Sequence, residues 1–205
     1  MAAQLFSKGA LLGLALAAPL GPIGALCINR SLSRGFVAGV AGGLGTAVAD
    51  ALYAGFAAFG FVAFAATLAL VAKPVAIIGG LFLLWLGFKF LRSDAVEQAV
   101  PASTGDLART ITTTFLLTIS NPTTILTVIA LFAGLGLAGA LDRSSAAALV
   151  AGVFVGSMAW WIILSAGVTL ARRKLPKSFA IWVNRGSGVT IAGFGLVAIW
   201  SIMTG

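Results

Sequence analysis

The sequence predicts an all-α integral membrane protein of six transmembrane helices, arranged as two inverted three-helix repeats with helices 1 and 4 broken or kinked. Three observations lead there. The 205 residues are 60% hydrophobic and only 9% charged, with a mean hydropathy of +1.10, far from the composition of a water-soluble domain. The Lys and Arg residues punctuate apolar runs instead of forming a soluble basic face, so the net charge of +8 does not indicate a nucleic-acid partner. Prolines interrupt two of those runs well inside the span.

A bilayer core about 30 Å thick takes about 20 residues of helix per crossing. The charged residues divide the chain into crossings near 8–28, 36–64, 74–91, 110–137, 146–171 and 183–204. The stretch "GALLGLALAAPLG" also has the apolar core and Ala-Leu-Ala site of a cleaved secretory signal. Only Lys8 precedes it, however, and the apolar run continues to Ile28, so it is read as a crossing.

Orientation follows from the cations. Arg30 and Arg34 lie between crossings one and two, Lys89, Arg92 and Arg109 around the third connection, and Arg172, Arg173, Lys174, Lys177 and Arg185 around the fifth. The N-terminal end, the second and the fourth connections carry one each, Lys8, Lys73 and Arg143. The positive-inside rule then puts both termini outside. The basic "RRKLPKSF" loop is expected to touch anionic lipid.

Internal symmetry is visible. "GLFLLWLGFKFL" from Gly80 and "GVTIAGFGLVAI" from Gly188 share glycines seven apart in crossings three and six. Crossings two and five carry the small-residue spacings Gly39/Gly43 and Gly152/Gly156, which let backbones approach closely, within one chain or between copies in a homo-oligomer. Crossings one and four carry Pro22 and Pro122 at matching depths, both about 20 Å along their helices. Glycine is common in membrane helices, but three crossings per repeat would force the second half to be inverted, an arrangement found in transporters. The expected organisation is a first repeat over 1–91, a cytoplasmic connection over 92–109 and a second repeat over 110–205.

The chemistry-bearing residues are few. Asp50 sits in the apolar run "GLGTAVADALYAG", where a bare carboxylate facing lipid would cost several kcal/mol. At 100° per residue it falls within about 20° of Gly43 and Gly39, so it points toward neighbouring helices. It lies about 24 Å beyond Arg34, and Asn121 about 20 Å beyond Arg109, so the two share a layer near mid-membrane. The prolines in "AAPLGPIGA" and "TISNPTTIL" each remove a helical hydrogen bond and free polar backbone groups.

Two readings of the breaks stand, packing kinks or a binding site, and their pairing with a mid-membrane acid favours the second. A helix restarting after such a break offers N–H groups to a carboxylate. Asp50 can attract an ammonium or carry a coupling proton. Trp85, Trp182 and Trp200 fit an interfacial belt, while Trp160 and Trp161 fall mid-span, where they line a pocket or serve packing.

The same inventory argues against other classes. There is no histidine and one cysteine, Cys27, so metal sites, cofactors, His-based catalysis and an internal disulfide are not expected. Asp94, Glu97, Asp106 and Asp142 all fall in connections, which leaves an embedded enzyme no second acid to work with Asp50. A channel or permease for another small solute or ion remains as the alternative.

Together these residues resemble the LysE/RhtB family of bacterial amino-acid exporters. The similarity lies in "LGPIGALCINRSLSRGFVAGVAGGLGTAVADALYAGFAAFG", with its Gly-Pro break, basic turn and acid-bearing second helix, in "FLLTISNPTTILTVIALFAGLG", with Asn-Pro, and in the glycine-framed "IIGGLFLLWLGFKFLR". The resemblance implies a multi-pass protein of the bacterial inner membrane that exports amino acids or related metabolites by antiport at the expense of the proton gradient, and the expected mechanism is a rocking of the two repeats that alternates access. It carries the site onto Gly21, Pro22, Asp50, Asn121 and Pro122, with Pro19 and Leu20 in place of a second proline directly before Gly21.

Overall fold

A computed structural model describes residues 2–19, 21–92, 103–121, 124, 125, 127, 128, 142–172 and 177–204. Six helices lie in that set: α1 (Ala2–Ala17), α2 (Pro22–Arg34), α3 (Phe36–Leu91), α4 (Thr104–Ile119), α5 (Arg143–Arg172) and α6 (Lys177–Thr204). No strand occurs among the described residues. Phe36–Phe59 and Arg143–Ala171 are long and apolar enough to cross a membrane, and α1 with α2 makes a third such stretch if the bent pair is one span.

The first predicted crossing is two helices. α1 and α2 meet at 83°, because Pro22 has no N–H to continue the ladder and instead takes the first helical position of α2, where none is needed. Gly21 caps α2 without a side-chain hydrogen bond, its N–H donating to the Pro19 carbonyl at 2.9 Å. The turn into α3 is made by Gly35, whose φ of 87° is available to glycine and rarely to other residues.

Crossings two and three are one continuous helical run instead of two helices joined by a loop at Lys73. The run passes through Pro74. It is nevertheless folded back on itself. A Cβ on Gly45 would meet Ile111 and Phe115 of α4, and one on Gly79 would meet the Ser120 carbonyl just beyond α4. Those α4 positions span about 14 Å, whereas 34 residues of straight helix would span about 51 Å. The two arms of α3 therefore pack on the same bundle.

Glycine sets the spacing throughout. Side chains at Gly9 and Gly13 of α1 would strike the Leu149 and Val153 carbonyls of α5, and Gly152 and Gly156 face the α1 backbone in return. These helices run parallel with their backbones in contact, as small residues allow in a membrane. The second arm of α3 runs antiparallel to α6 with reciprocal pairs, Gly80 beside Gly195 and Gly87 beside Gly188.

The bundle interior is apolar and small, built from residues such as Leu12, Ala54, Ala57 and Val153 in one cluster and Leu26, Leu86, Trp161 and Ile191 in another. Large apolar side chains including Phe59, Ile163 and Leu170 point outward, as lipid contact requires. Trp182 and Trp200 are also exposed, whereas Trp161 is buried against Gly43.

α4 starts at Thr104, six residues before the predicted crossing, because Ser103 and Asp106 form a reciprocal capping box that satisfies its first amides. Arg34 reaches Asp106 at 3.8 Å, and Arg30 Nη1 donates to the Thr110 carbonyl at 3.2 Å, so α2 and α4 are tied at their basic ends. Most of the fourth crossing beyond Asn121, including Pro122, and residues 93–102 of the third connection lie outside the described residues.

Candidate functional site

Asp50 lies midway along the first arm of α3 and is 2% exposed. The side of α3 that carries it meets α5, where Ser157 Oγ donates to Asp50 Oδ2 at 2.8 Å. No Lys or Arg lies within ion-pair distance of Asp50 among the described residues. A carboxylate with one hydroxyl partner retains unused lone pairs, which suits a group that exchanges partners better than one locked in a structural pair.

Neighbouring turns of α3 tie this point to the end of α4. Tyr53, three residues on, donates its hydroxyl to the Ile119 carbonyl. Thr46, four residues back, accepts from Thr118 Oγ1 at 3.4 Å. Beyond Ile119 the helix ends, Asn121 N–H turns to the Thr118 carbonyl at 3.2 Å, and helical bonding resumes with Ile125 N–H on the Asn121 carbonyl at 3.3 Å. Asn121 is half-buried at this discontinuity.

α1 approaches from the other side. Its Gly13 lies against the backbone of Val153 and the Ser157 amide, so the residue whose hydroxyl holds Asp50 has its backbone against α1. Pro22 is buried and Gly21 half-buried where α2 restarts, with Phe194 of α6 nearby. Among the described residues Asp50 hydrogen-bonds neither Gly21 and Pro22 nor Asn121. Tyr53 and Thr46 tie the turns of α3 on either side of the acid to the last turn of α4, just ahead of the second break.

Sequence reasoning missed Ser157, Tyr53, Thr46 and Thr118. Two signals were available. Tyr53 is the chain's single tyrosine and stands one turn from the acid, and Ser157 follows the Gly152/Gly156 spacing directly.

Glycine-mediated helix packing, a helix broken at Pro22, another that ends at Ile119 and a single buried acid among the described residues make a transporter-like arrangement. The chain belongs to the LysE type translocator family, whose sequence model matches residues 14–201. It is 27% identical to the "Putative amino acid efflux protein YcgF" of Bacillus subtilis (strain 168), over 94% of this chain and 93% of that one. It is 28% identical to the "Threonine efflux protein" of Escherichia coli (strain K12), over 84% and 86% of the two chains. The "Arginine exporter protein ArgO" of Pectobacterium carotovorum is 29% identical over 96% and 93%. No solved structure matches.

Proposed function

We propose that this chain is a secondary transporter that exports amino acids or related small metabolites across the bacterial inner membrane, driven by the proton gradient. The observation that carries the reading is Asp50, buried beside Ser157 with no Lys or Arg at ion-pair distance among the described residues. In the membrane interior such a carboxylate is costly unless a proton or a cationic group arrives to share its site. Asp50 is assigned the substrate ammonium or the coupling proton. The amides of Ile23 and Gly24, in the first turn of α2 after Gly21 and Pro22, which no side chain caps, are assigned the substrate carboxylate, with Asn121 and Pro122 completing the site at the second break.

The inverted-repeat arrangement is part of this reading. The reciprocal Gly80/Gly195 and Gly87/Gly188 contacts are what a two-fold axis between crossings three and six would produce. With both termini outside, the basic α2–α3 turn faces the cytoplasm.

The test is efflux from proteoliposomes preloaded with a mixture of amino acids, with and without a proton gradient, for wild type and Asp50→Asn. Efflux of one amino-acid class that needs both the gradient and Asp50 supports the proposal. No amino-acid efflux from inserted protein overturns the cargo and moves the search to other small solutes.

A further inference from the structure

Five buried side-chain atoms have no hydrogen-bond partner among the described residues: Ser31 Oγ on α2, and Trp160 Nε1, Trp161 Nε1, Ser165 Oγ and Thr169 Oγ1 on α5. Positions 161, 165 and 169 are spaced by four. One further step back is Ser157, which holds Asp50. Residues four apart share a helix face, so this row runs along one side of α5 from Asp50 toward the end of the bundle where Gly35 turns α2 into α3.

The opposing side of α3 carries Asp50, then Gly43, then Gly39. Trp161 packs on Gly43, and the hydroxyls of Ser165 and Ser31 both crowd the place a Cβ of Gly39 would occupy. Ser31 and Ser165 are 0% exposed and Trp161 is 2% exposed. The seam therefore pairs side-chain-free backbone on α3 with donors on α5 and α2 that have no acceptor among the described residues.

Each buried, unsatisfied hydroxyl or indole N–H costs about 1–3 kcal/mol. Alanine or phenylalanine would fill the same places without that penalty, so a succession of such groups along one seam calls for an account in terms of a second state. Glycines opposite allow the seam to close tightly. If α3 and α5 separate, the same donors become the walls of a wet cleft leading to Asp50.

We infer that the α3–α5 seam between Gly39 and Asp50 is an inner gate, closed in this structure. When open it is a water-filled passage lined by Ser31, Trp161, Ser165 and Thr169, joining Asp50 to the face that bears the α2–α3 turn. What travels through it rests on the transporter reading above, whereas the gate itself is a statement about water.

The experiment places single cysteines, Ser165→Cys and Thr169→Cys, in a Cys27→Ala background and treats oriented vesicles with a membrane-impermeant trimethylammonium thiosulfonate, which modifies the hydrated thiolate. Both cysteines are expected to react from the face bearing the α2–α3 turn, about tenfold or more faster than the lipid-facing control Ile163→Cys. Rates no higher than that control, or reaction from the opposite face alone, overturn the gate. Radiolytic hydroxyl-radical footprinting of the wild-type protein guards against misfolded variants. Oxidation of Trp161 is expected, and an unmodified Trp161 beside an oxidised Trp182 overturns the inference. Labelling without amino-acid efflux rejects the proposed cargo and keeps the gate, while efflux without labelling rejects the gate alone.

Discussion

Ser157 of α5 and Asp50 of α3, 107 residues apart in sequence, are joined by a 2.8 Å hydrogen bond at the point where α1 also touches α5. Asp50→Asn keeps the size and the oxygen that accepts from Ser157 but removes the charge. Inserted protein is expected at wild-type yield, with gradient-driven efflux reduced by about tenfold or more. Ser157→Ala deletes one hydrogen bond to a charged group, worth about 1.5–3 kcal/mol, and should weaken efflux while Ser157→Thr restores it. Equal yield and equal coupled efflux across all three would remove Asp50 from the mechanism.

Gly13 and Gly167 make a matched pair for stability. A Cβ on Gly13 would run into the Val153 carbonyl and the Ser157 amide, both backbone, whereas one on Gly167 meets nothing within 4 Å. Gly13→Ala must push α1 off α5 and should lower the melting temperature in detergent by several degrees, with about 1–3 kcal/mol lost to overpacking. Gly167→Ala should be neutral or raise it slightly, since alanine is the better helix former by about 1 kcal/mol.

How much of this was legible in the sequence depends on the kind of residue. Composition and charge spacing exposed the membrane class, and Pro19 and Pro22 marked the break between α1 and α2, because a missing N–H acts locally whatever surrounds it. Asp50 was found for the same reason, as a charge in an apolar run. Ser157, Thr46 and Thr118 were not, because a serine or threonine in a membrane helix carries no signal until its cross-helix partner is known. The helical run through Pro74 was equally hidden. Lys73 read as a connection ahead of a third crossing that starts at 74, yet proline is compatible with a bent helix.

Tyr53 holds the last turn of α4 by donating to the Ile119 carbonyl. Tyr53→Phe leaves that carbonyl short of a partner at the helix end, at a cost of about 1–3 kcal/mol. The expected result is faster hydrogen exchange around Ser120 and Asn121 and a raised half-saturating substrate concentration, with expression unchanged. Exchange indistinguishable from wild type would mean that this bond does not steady the break.

Asp142 caps α5 through the Ser144 hydroxyl and the Ser145 amide, and these bonds, the Ser144 side chain first, hold its carboxyl near 2, below the ordinary 3.8. A folded-state value below the unfolded one means that the stabilisation is present above pH about 4 and fades as pH falls toward about 2. Asp142→Asn should abolish that part of the acid dependence of melting while leaving efflux at neutral pH unchanged, since asparagine caps about as well as aspartate.

The contact of α1 with α5 has a consequence for how the chain can be divided. α1 belongs to the first half of the sequence, yet Gly9 and Gly13 bed into the backbone of a helix from the second half, while α4 lies in turn against Gly42 and Gly45 of the first. The halves are thus interlaced, each lending its leading helix to the other. Cutting the polypeptide between α3 and α4 would yield two fragments that each expose a glycine-lined groove shaped for a helix they no longer own. Such fragments should assemble only when made together, and any rocking motion must carry α1 with α5 and α4 with the first arm of α3, as units that sequence order conceals.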